Sequence, residues 1–434
     1  MKWNAPAANR MWSVRINILR KFTRRLEPDG NMIDYPGMKS LATRSLCVFL
    51  IWFAPIVFAS EPASDPEVAN YNLRFGSQAF GTLYQFSTND VVVEQGEQLL
   101  RMGSDIVKFG LNAGKGRKEL KTLTASVQAN PRDTRLFEMP FHHYFLWTDI
   151  ASHGSHNYWR QGPQPDQDGL EYAEIHEFTR YLLTRYSGTG KKFYLGNWEG
   201  DWLLLGTSQH GTNNPTPEAV LGMRSWLNAR QRAVDDAKNE TPHTNVDVFV
   251  YAEVNRVRDA MQNKPGANIR LVNAVLPFVT NLDYVSYSSY DAQNLAEPEL
   301  RRTLDYIVAQ MSTNKAGVIP GRRLFIGEYG FGGNKRTPDR QLEPTRKYLA
   351  RLLRWGVPFA LFWQVYNNEA GNYFCLIDAR GKPTPCFDLF QGYLRAARLR
   401  VADFKRSHGR LPNDAEFAAL VLPLLESRNT ATTP

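Results

Sequence analysis

The chain has 434 residues, of which 43% are hydrophobic and 22% are charged, and its 10 Trp, 19 Tyr and 24 Phe supply ample apolar material for a folded core. This composition excludes a chain that is disordered throughout. The formal net charge is +9, but residues 1–60 contribute +6 of it, and the remainder contains no stripe of clustered Lys and Arg. A nucleic-acid-binding protein is therefore disfavoured.

The first recognisable element is a short apolar segment, Leu46 to Phe58, which follows the basic residues Lys39 and Arg44. The small residues Ala59 and Ser60 come directly after it. A positive start, a short apolar run and a small-residue cleavage site are typical of a secretory signal peptide, and the run is too short to span a bilayer comfortably.

We therefore predict a signal peptide over residues 38–60 and a secreted or periplasmic protein. An uncleaved N-terminal anchor is the alternative interpretation of the same segment. Residues 1–37 match neither a domain nor a signal, and we interpret them as an over-extended N-terminus that precedes a translation start at Met38.

From residue 61 onward, short apolar runs typical of strands alternate with amphipathic stretches typical of helices. The eight predicted strands are Leu73–Phe80, Asp105–Leu111, Leu136–Phe145, Lys192–Trp198, Val246–Ala252, Leu282–Tyr287, Arg323–Gly327 and Phe359–Trp363. The predicted helices are Val92–Met102, Arg117–Gln128, Glu171–Tyr186, Pro217–Lys238, Ile269–Thr280, Pro298–Met311, Asp339–Trp355 and Pro385–Ala397. This alternation predicts an α/β fold, a (β/α)8 TIM barrel that forms a single domain over residues 61–400. A doubly wound open sheet is the competing fold, but the glycine-rich phosphate loop that usually follows an early strand is missing here.

Two cysteines lie beyond the leader, Cys375 and Cys386, on either side of a polar turn. Because the leader predicts an oxidising destination, we predict a disulfide between them, with two free thiols as the alternative. Residues 401–434 are predicted to form a tail in which Asn413 caps a short helix, Asp414 to Glu426.

Acidic residues stand at the ends of three predicted strands: Glu199 follows the fourth, Glu253 the fifth and Glu328 the seventh. A parallel barrel places its active site at these C-terminal strand ends. Burying a carboxylate there is costly unless it is partnered or functional, so three on one rim indicate a catalytic site. Cleaving a glycosidic bond needs an acid for the leaving oxygen and a second carboxylate on the other face of the sugar. Strands four and seven face each other across an eight-stranded barrel and can supply that pair.

The motifs GNWEGDW around Glu199 and IGEYG around Glu328 resemble those of the clan A glycoside hydrolases, a superfamily of retaining barrel enzymes. The resemblance extends over the predicted barrel, although its motifs are short. It implies that Glu199 is the acid/base and Glu328 the nucleophile. It further implies a Tyr after strand six that hydrogen-bonds the nucleophile, either Tyr290 or Tyr287, and an aromatic sugar platform at Trp363.

One position departs from the family pattern. The family has an Asn directly before the acid/base Glu, where it contacts the sugar 2-hydroxyl, but Trp198 occupies that position here. Asn197, one residue earlier, is the candidate for this contact. Glu253 is predicted to contact substrate, and it also stands as a rival for either catalytic role or as a partner that shifts the pKa of a neighbour.

Four histidines lie within fifteen residues, at His142, His143, His153 and His156, and they raise the question of a metal site. Neighbours on a strand point to opposite faces, so His142 and His143 cannot both enter the barrel mouth. The other two match no recognised zinc spacing. We therefore predict no metal and assign His142 to a sugar hydroxyl, with aromatic residues such as Trp147 stacking on the ring.

The sequence thus predicts a secreted glycosidase that cleaves O-glycosidic bonds of a poly- or oligosaccharide by a retaining two-carboxylate mechanism. The expected partner is the carbohydrate alone, with no cofactor, no nucleic acid, no membrane contact beyond the export signal, and a monomeric state. A non-catalytic carbohydrate-binding barrel is one alternative, favoured by the displaced Asn197. A metal-dependent hydrolase built on the histidines is the other, and it would lose activity in the presence of a chelator.

Overall fold

Eight parallel strands close into a barrel in which each strand pairs with the next and the eighth returns to the first. The computed structural model describes residues 65–111, 120–152, 157–208, 213–311, 323–332 and 337–426. The strands are β1 (Phe75–Gln78), β2 (Ile106–Gly110), β3 (His143–Trp147), β4 (Lys192–Gly196), β5 (Asp247–Val254), β6 (Tyr284–Ser288), β7 (Leu324–Tyr329) and β8 (Ala360–Phe362). Each overlaps a predicted strand, and the predicted (β/α)8 barrel is confirmed.

Helices connect the strands around the outside of this barrel. Within the described ranges they are α1 (Pro66–Ala69), α2 (Val91–Met102), α3 (Leu123–Gln128), α4 (Pro131–Glu138), α5 (Pro165–Arg185), α6 (Gly200–Leu205), α7 (Pro217–Glu240), α8 (Val257–Met261), α9 (Leu271–Ala274), α10 (Glu297–Ala309), α11 (Pro338–Trp355), α12 (Pro385–His408) and α13 (Asp414–Glu426). None of these helices is long and apolar enough to cross a membrane. The predicted leader and the segment before it lie outside the described residues, so the domain boundaries remain predictions.

The barrel is filled by side chains rather than open along its axis. An inner cluster of bulky residues from most of the strands fills its interior: Ile106, Phe145, Tyr194, Phe249, Tyr251, Tyr284, Phe325, Phe359 and Leu361. The rings of Phe145 and Tyr194, for example, stack with centroids 4.2 Å apart. Because both faces of each strand are buried, the strands read as nearly continuous apolar runs, which is why they could be located from the sequence.

The third strand was predicted too early. Residues Leu136–Phe145 were expected to be extended, but α4 occupies the first part of that range and β3 begins only at His143. The Asn130 side chain accepts a hydrogen bond from the N–H of Arg132 and caps α4, and Pro131 occupies the first turn, where proline is favoured. This cap draws Leu136 into a helix despite its strand-like apolar neighbours.

Two further predictions of helices need correction. The range Ile269–Thr280 contains only the short α9 and a 3-10 turn at Leu276–Phe278, because Pro277 lacks the N–H that a continuous helix requires. Helix α12 extends to His408, well beyond its predicted end at Ala397. The predicted tail helix is confirmed as α13.

The start of α13 shows why that helix was predictable. The Asn413 side chain accepts from the N–H of Glu416 at 3.0 Å, and the Glu416 carboxylate accepts from the N–H of Asn413 at 2.8 Å. This reciprocal capping box satisfies two N–H groups that a helix start would otherwise leave unpaired.

The predicted disulfide is absent from the structure, which contains Cys375 and Cys386 as free, buried thiols. Cys386 lies in the first turn of α12, and its thiol donates to Oγ1 of Thr345 on α11 at 3.8 Å. Burial raises the pKa of the Cys386 thiol to about 12. The helix start therefore directs this sulfur into a packed site, and the prediction of a disulfide is corrected to two free cysteines.

The two ends of the barrel differ. We call the C-terminal ends of the strands the mouth and their N-terminal ends the bottom. A cavity of about 770 Å³ lies at the bottom, between the first residues of the strands and the segment that joins α12 to α13. Its deep lining comes from the buried side chains of His143, Tyr194, Phe249, Tyr284 and Phe359.

Candidate active site

Strand β7 carries Glu328 to the mouth and is irregular at that position. Between β6 and β7 the pairing advances two residues on β6, from Ser286 to Ser288, but three on β7, from Phe325 to Glu328. Such a bulge re-aims side chains and is frequent beside active sites. A Cβ on Gly327 would collide with Oγ of Ser286 in the barrel interior, so only glycine fits directly before Glu328.

The Glu328 carboxyl is buried, with 5% of its surface exposed. Its Oε1 accepts a hydrogen bond from the hydroxyl of Tyr290 at 3.1 Å, whereas Oε2 has no hydrogen-bond partner among the described residues. Burial raises the pKa of Glu328 well above its usual range, and the charge of Glu199 raises it further. Tyr290 is thus the tyrosine beside the predicted nucleophile, and one carboxylate oxygen is left unbonded.

Glu199 immediately precedes α6 at the end of β4. Its Oε1 accepts from the hydroxyl of Ser288 at 2.6 Å, and its backbone N–H donates to Oε1 of Glu253 at 3.1 Å. Burial raises the pKa of Glu199 to about 7, with a further increase from the negative charge of Glu253 and a decrease from the Ser288 hydrogen bond. A carboxyl with a pKa near neutrality can donate a proton at the pH at which most enzymes work.

Glu199 and Glu328 lie close enough for the charge of Glu199 to raise the pKa of Glu328. Placing two negative charges close together in a low-dielectric site is costly, so the two carboxyls lose their protons one after the other. After the first loss the mouth holds one carboxylic acid and one carboxylate.

A buried polar layer lies directly beneath this pair. Glu253 is fully buried, and its Oε2 accepts from the ammonium of Lys108 at 2.8 Å and from the hydroxyl of Ser286 at 2.6 Å. Its Oε1 accepts from the N–H of Glu199, so both carboxylate oxygens are in use. Glu253 cannot contact a substrate without leaving this layer. The prediction of a substrate contact is corrected: Glu253 supports Glu199 and raises the pKa of both Glu199 and Glu328.

Asn197 also serves the backbone rather than the mouth. Its Nδ2 donates to the carbonyl of Trp198 at 2.9 Å, and its Oδ1 accepts from the N–H of Glu253 at 3.4 Å. The side chain is buried, with both ends of the amide engaged. The predicted sugar contact is therefore replaced by a role in shaping the turn that leads to Glu199.

Tyr287 and His142 contact other residues than the two candidate catalytic carboxyls. Tyr287 is fully buried and its hydroxyl donates to the Asp291 carboxylate, so it is not the partner of Glu328. His142 precedes the first residue of β3 and lies 3.7 Å from the Asp105 carboxylate, at the bottom of the barrel. The prediction failed because the strand begins later than expected, which moves the histidine to the opposite end.

Trp363 follows β8 at the mouth and belongs to an aromatic wall, which we define as Phe80, Trp147 and Trp363. The Phe80 ring lies 4.0 Å from that of Trp147 and 5.5 Å from that of Trp363, measured between centroids. The Trp363 indole N–H donates to Glu369 at 3.3 Å. Stacking of a sugar on this wall stays a prediction.

The described residues contain no group of three His, Cys, Asp or Glu side chains that could hold a metal ion. His143 is buried at the bottom beside the hydroxyl of Tyr194, at 3.1 Å from its Nδ1. His153 and His156 lie outside the described residues.

Sequence reasoning missed three side chains of the site: Lys108, Ser286 and Ser288. Lys108 did carry a signal, since a lysine between apolar residues of a strand buried on both faces must have a buried partner. The serines carried none, because a Ser at a strand end is compatible with many environments. Their contacts with Glu253 and Glu199 depend on the barrel bringing β4, β5 and β6 together.

No family model and no curated protein sequence matches the chain. Among solved structures, it is similar to a family 1 β-glucosidase from Thermotoga maritima, at 11% identity and a TM-score of 0.49, over 75% of this chain and 97% of that one. A β-glucosidase from Exiguobacterium marinum is 12% identical, with a TM-score of 0.45 over 74% of this chain and 98% of that one.

A family 39 glycoside hydrolase from Bacteroides cellulosilyticus WH2 is 11% identical, with a TM-score of 0.47 over 75% of this chain. The chain spans 64% of the length of that enzyme. The closed barrel defines the fold, and the residues of the site define its chemistry.

Proposed function

We propose that the protein is a secreted or periplasmic glycoside hydrolase that cleaves O-glycosidic bonds of a poly- or oligosaccharide with retention of configuration. The observation that carries the proposal is the pair Glu199 and Glu328, a half-buried and a buried carboxyl that follow β4 and end β7 at one mouth and whose pKa values are both raised. Export is proposed from the leader pattern alone.

In this mechanism Glu199 donates its proton to the leaving oxygen while the Glu328 carboxylate attacks the anomeric carbon and forms a glycosyl ester. Glu199, now ionised, then removes a proton from water. The water oxygen attacks the anomeric carbon, the ester bond to Glu328 breaks, and the sugar leaves with its original configuration. Each carboxyl returns to its starting protonation state.

The hydrogen bond to Glu328 supports the role of nucleophile. Tyr290 donates to Oε1, and the buried Oε2, which has no hydrogen-bond partner among the described residues, is the oxygen that attacks in this proposal. The hydroxyl of Ser288 holds Glu199 in the same way from β6. The aromatic wall beside the pair offers flat apolar faces on which a sugar ring can rest.

The test is a mass-spectrometric screen of the purified protein against a panel of polysaccharides and aryl glycosides. Glu328→Ala is the inactive comparison, and Glu138→Ala is a matched control that removes an exposed carboxylate at the end of α4. We expect a product from the wild type and from Glu138→Ala, and none from Glu328→Ala. With an activated glycoside, azide should restore turnover of Glu328→Ala and give a glycosyl azide.

Two results would change the proposal. Proton NMR can monitor the anomeric configuration of the first-formed product. If that configuration is inverted, water attacks the anomeric carbon directly and no glycosyl ester forms. Binding of an oligosaccharide with no product across the panel would favour the non-catalytic carbohydrate-binding barrel.

A further inference from the structure

Lys108 lies in β2 between apolar neighbours and is fully buried. Its ammonium donates to Oε2 of Glu253 on β5 at 2.8 Å and to the carbonyl of Gly327 on β7 at 3.0 Å. These strands are not neighbours of β2 in the barrel. One side chain therefore ties three separate strands together through the barrel interior.

Both candidate catalytic residues are attached to this tie through the backbone. Gly327 directly precedes Glu328, so the carbonyl that Lys108 holds belongs to the peptide unit that leads into the nucleophile. On the other side, Glu253 accepts the backbone N–H of Glu199 at 3.1 Å. Lys108 thus holds the peptide of Glu328 directly and that of Glu199 through Glu253. It contacts neither of the two catalytic carboxyls.

Lys108 and Glu253 are a charged pair that is fully buried inside the barrel. Bulky apolar and aromatic side chains fill the barrel just below it, among them Tyr251 and Phe325. A buried ion pair is on balance no more stabilising than well-packed apolar residues of similar volume, because desolvation offsets the attraction. Stability alone is therefore a weak reason for Lys108 and Glu253 here, and a positioning role accounts for both of their backbone contacts.

We infer that Lys108 is a positioning residue of the site: with Glu253 it forms a cross-barrel strut that fixes the backbones of Glu199 and Glu328 at the distance and orientation their reaction needs. The inference rests on the proposed function and adds to it a residue that acts through the two catalytic carboxyls. Its positive charge also lowers the pKa of both of them, so the strut influences where they titrate.

The first variant is Lys108→Met, which keeps the length of the side chain and removes its charge and donors. We expect kcat to fall roughly 100-fold, because a displacement of about 1 Å at reacting groups has an effect of this size, while KM changes little. The alkaline limb of the kcat/KM profile should move to higher pH, because a cation that lowers the pKa of Glu199 is gone. A purely structural lysine would lower the melting temperature without changing kcat per folded molecule.

The second variant, Lys108→Met with Glu253→Gln, removes both charges and so avoids leaving an unpaired buried carboxylate. Its glutamine can still accept the N–H of Glu199, which keeps the fold accessible if Lys108→Met alone does not fold. If the double variant regains wild-type kcat and an unchanged pH profile, Lys108 serves only to neutralise Glu253, and the inference is overturned. A kcat that stays low supports the strut.

A measurement that does not need turnover separates this inference from the proposed function. Carbon-13 NMR titration of protein labelled at Glu carboxyls, assigned with Glu199→Gln and Glu328→Gln, reports the pKa values of the pair directly. Loss of the lysine charge raises both pKa values by itself, so hydrogen exchange of the Glu199 amide, which Glu253 accepts, is measured as well. If the wild type cleaves no glycoside but this amide loses its protection in Lys108→Met, the proposed function fails and the strut stands. If activity is found and Lys108→Met leaves kcat and this protection unchanged, the strut fails and the function stands.

Discussion

The mouth and the bottom of the barrel both place buried polar side chains next to aromatic layers, yet they hold opposite chemistry. At the mouth lie three carboxyls, those of Glu199, Glu253 and Glu328, and one lysine, Lys108, whose ammonium contacts Glu253. At the bottom, a neutral imidazole and phenol hydroxyls line a cavity of about 770 Å³. The large cavity and the three carboxyls therefore lie at opposite ends of the barrel.

The same physical cause acts with opposite sign at the two ends. Burial disfavours a charged form, so it raises the pKa of a carboxyl and lowers that of an imidazole. Glu199 reaches a pKa of about 7, whereas the pKa of His143 falls to about 3. Near neutral pH the mouth holds an exchangeable proton, and the histidine at the bottom remains uncharged.

The largest expected difference between the two ends is in activity. Glu199→Ala should lower kcat for an unactivated glycoside by roughly 10²–10⁴-fold, because it removes the proton donor for the leaving oxygen. His142→Gln, at the bottom, should stay within about twofold of the wild type, since it lies at the opposite end of the barrel from the proposed site. Initial rates on the substrate found in the screen would measure both.

A leaving group that needs no protonation is the internal control. With an aryl glycoside of low leaving-group pKa, formation of the glycosyl enzyme in Glu199→Ala should be much less impaired. Wild-type rates in Glu199→Ala on all substrates would remove this residue from the mechanism, and a large loss in His142→Gln would show that the bottom takes part.

The next effect is on stability, and it has opposite pH dependence at the two ends. Glu199 has a higher pKa in the folded chain than its ordinary value of 4.5, so its contribution is complete below pH 4.5 and is lost as the pH rises through about 7. His143 has a folded pKa of about 3 against 6.5, so its contribution is present above pH 6.5 and is lost as the pH falls towards 3. The Glu199 shift corresponds to about 3 kcal/mol and the His143 shift to about 5 kcal/mol.

Urea unfolding at pH 4, 6 and 8 tests this contrast. Relative to the wild type, Glu199→Gln should gain stability between pH 4 and pH 8, by up to about 3 kcal/mol. His143→Gln should lose less stability than the wild type between pH 8 and pH 4, by a similar amount. Parallel pH curves for the wild type and either variant would mean that the corresponding group titrates alike in the folded and unfolded chain.

The smallest effect concerns the alkaline side of the activity profile. Because Glu199 must be protonated to act as the acid, kcat/KM should fall above pH about 7, approaching tenfold per pH unit. His143→Gln should leave that limb in place, since the imidazole is already neutral at these pH values. A limb that moves in His143→Gln would couple the two ends of the barrel.

Much of the fold and part of the site were accessible from the sequence. The apolar runs of a parallel barrel mark its strands, and the rule that active sites lie at C-terminal strand ends singled out Glu199, Glu253 and Glu328. The resemblance to the clan A glycoside hydrolases then selected Glu199 and Glu328 as the candidate catalytic pair. The same rule, applied to a third strand predicted to begin seven residues too early, misplaced His142. An error in one strand boundary thus placed His142 at the mouth, although it lies at the bottom.

The sequence by itself determined the barrel, the direction of its strands and the strand ends that carry acidic residues, because these follow from local periodicity and capping. Only the tertiary structure decided which side chains meet: that Tyr290 rather than Tyr287 reaches Glu328, and that Lys108 joins Glu253 beneath the pair. Those contacts depend on a bulge in β7 and on barrel closure, which bring together residues up to 145 positions apart. Neither leaves a periodic signal along the chain.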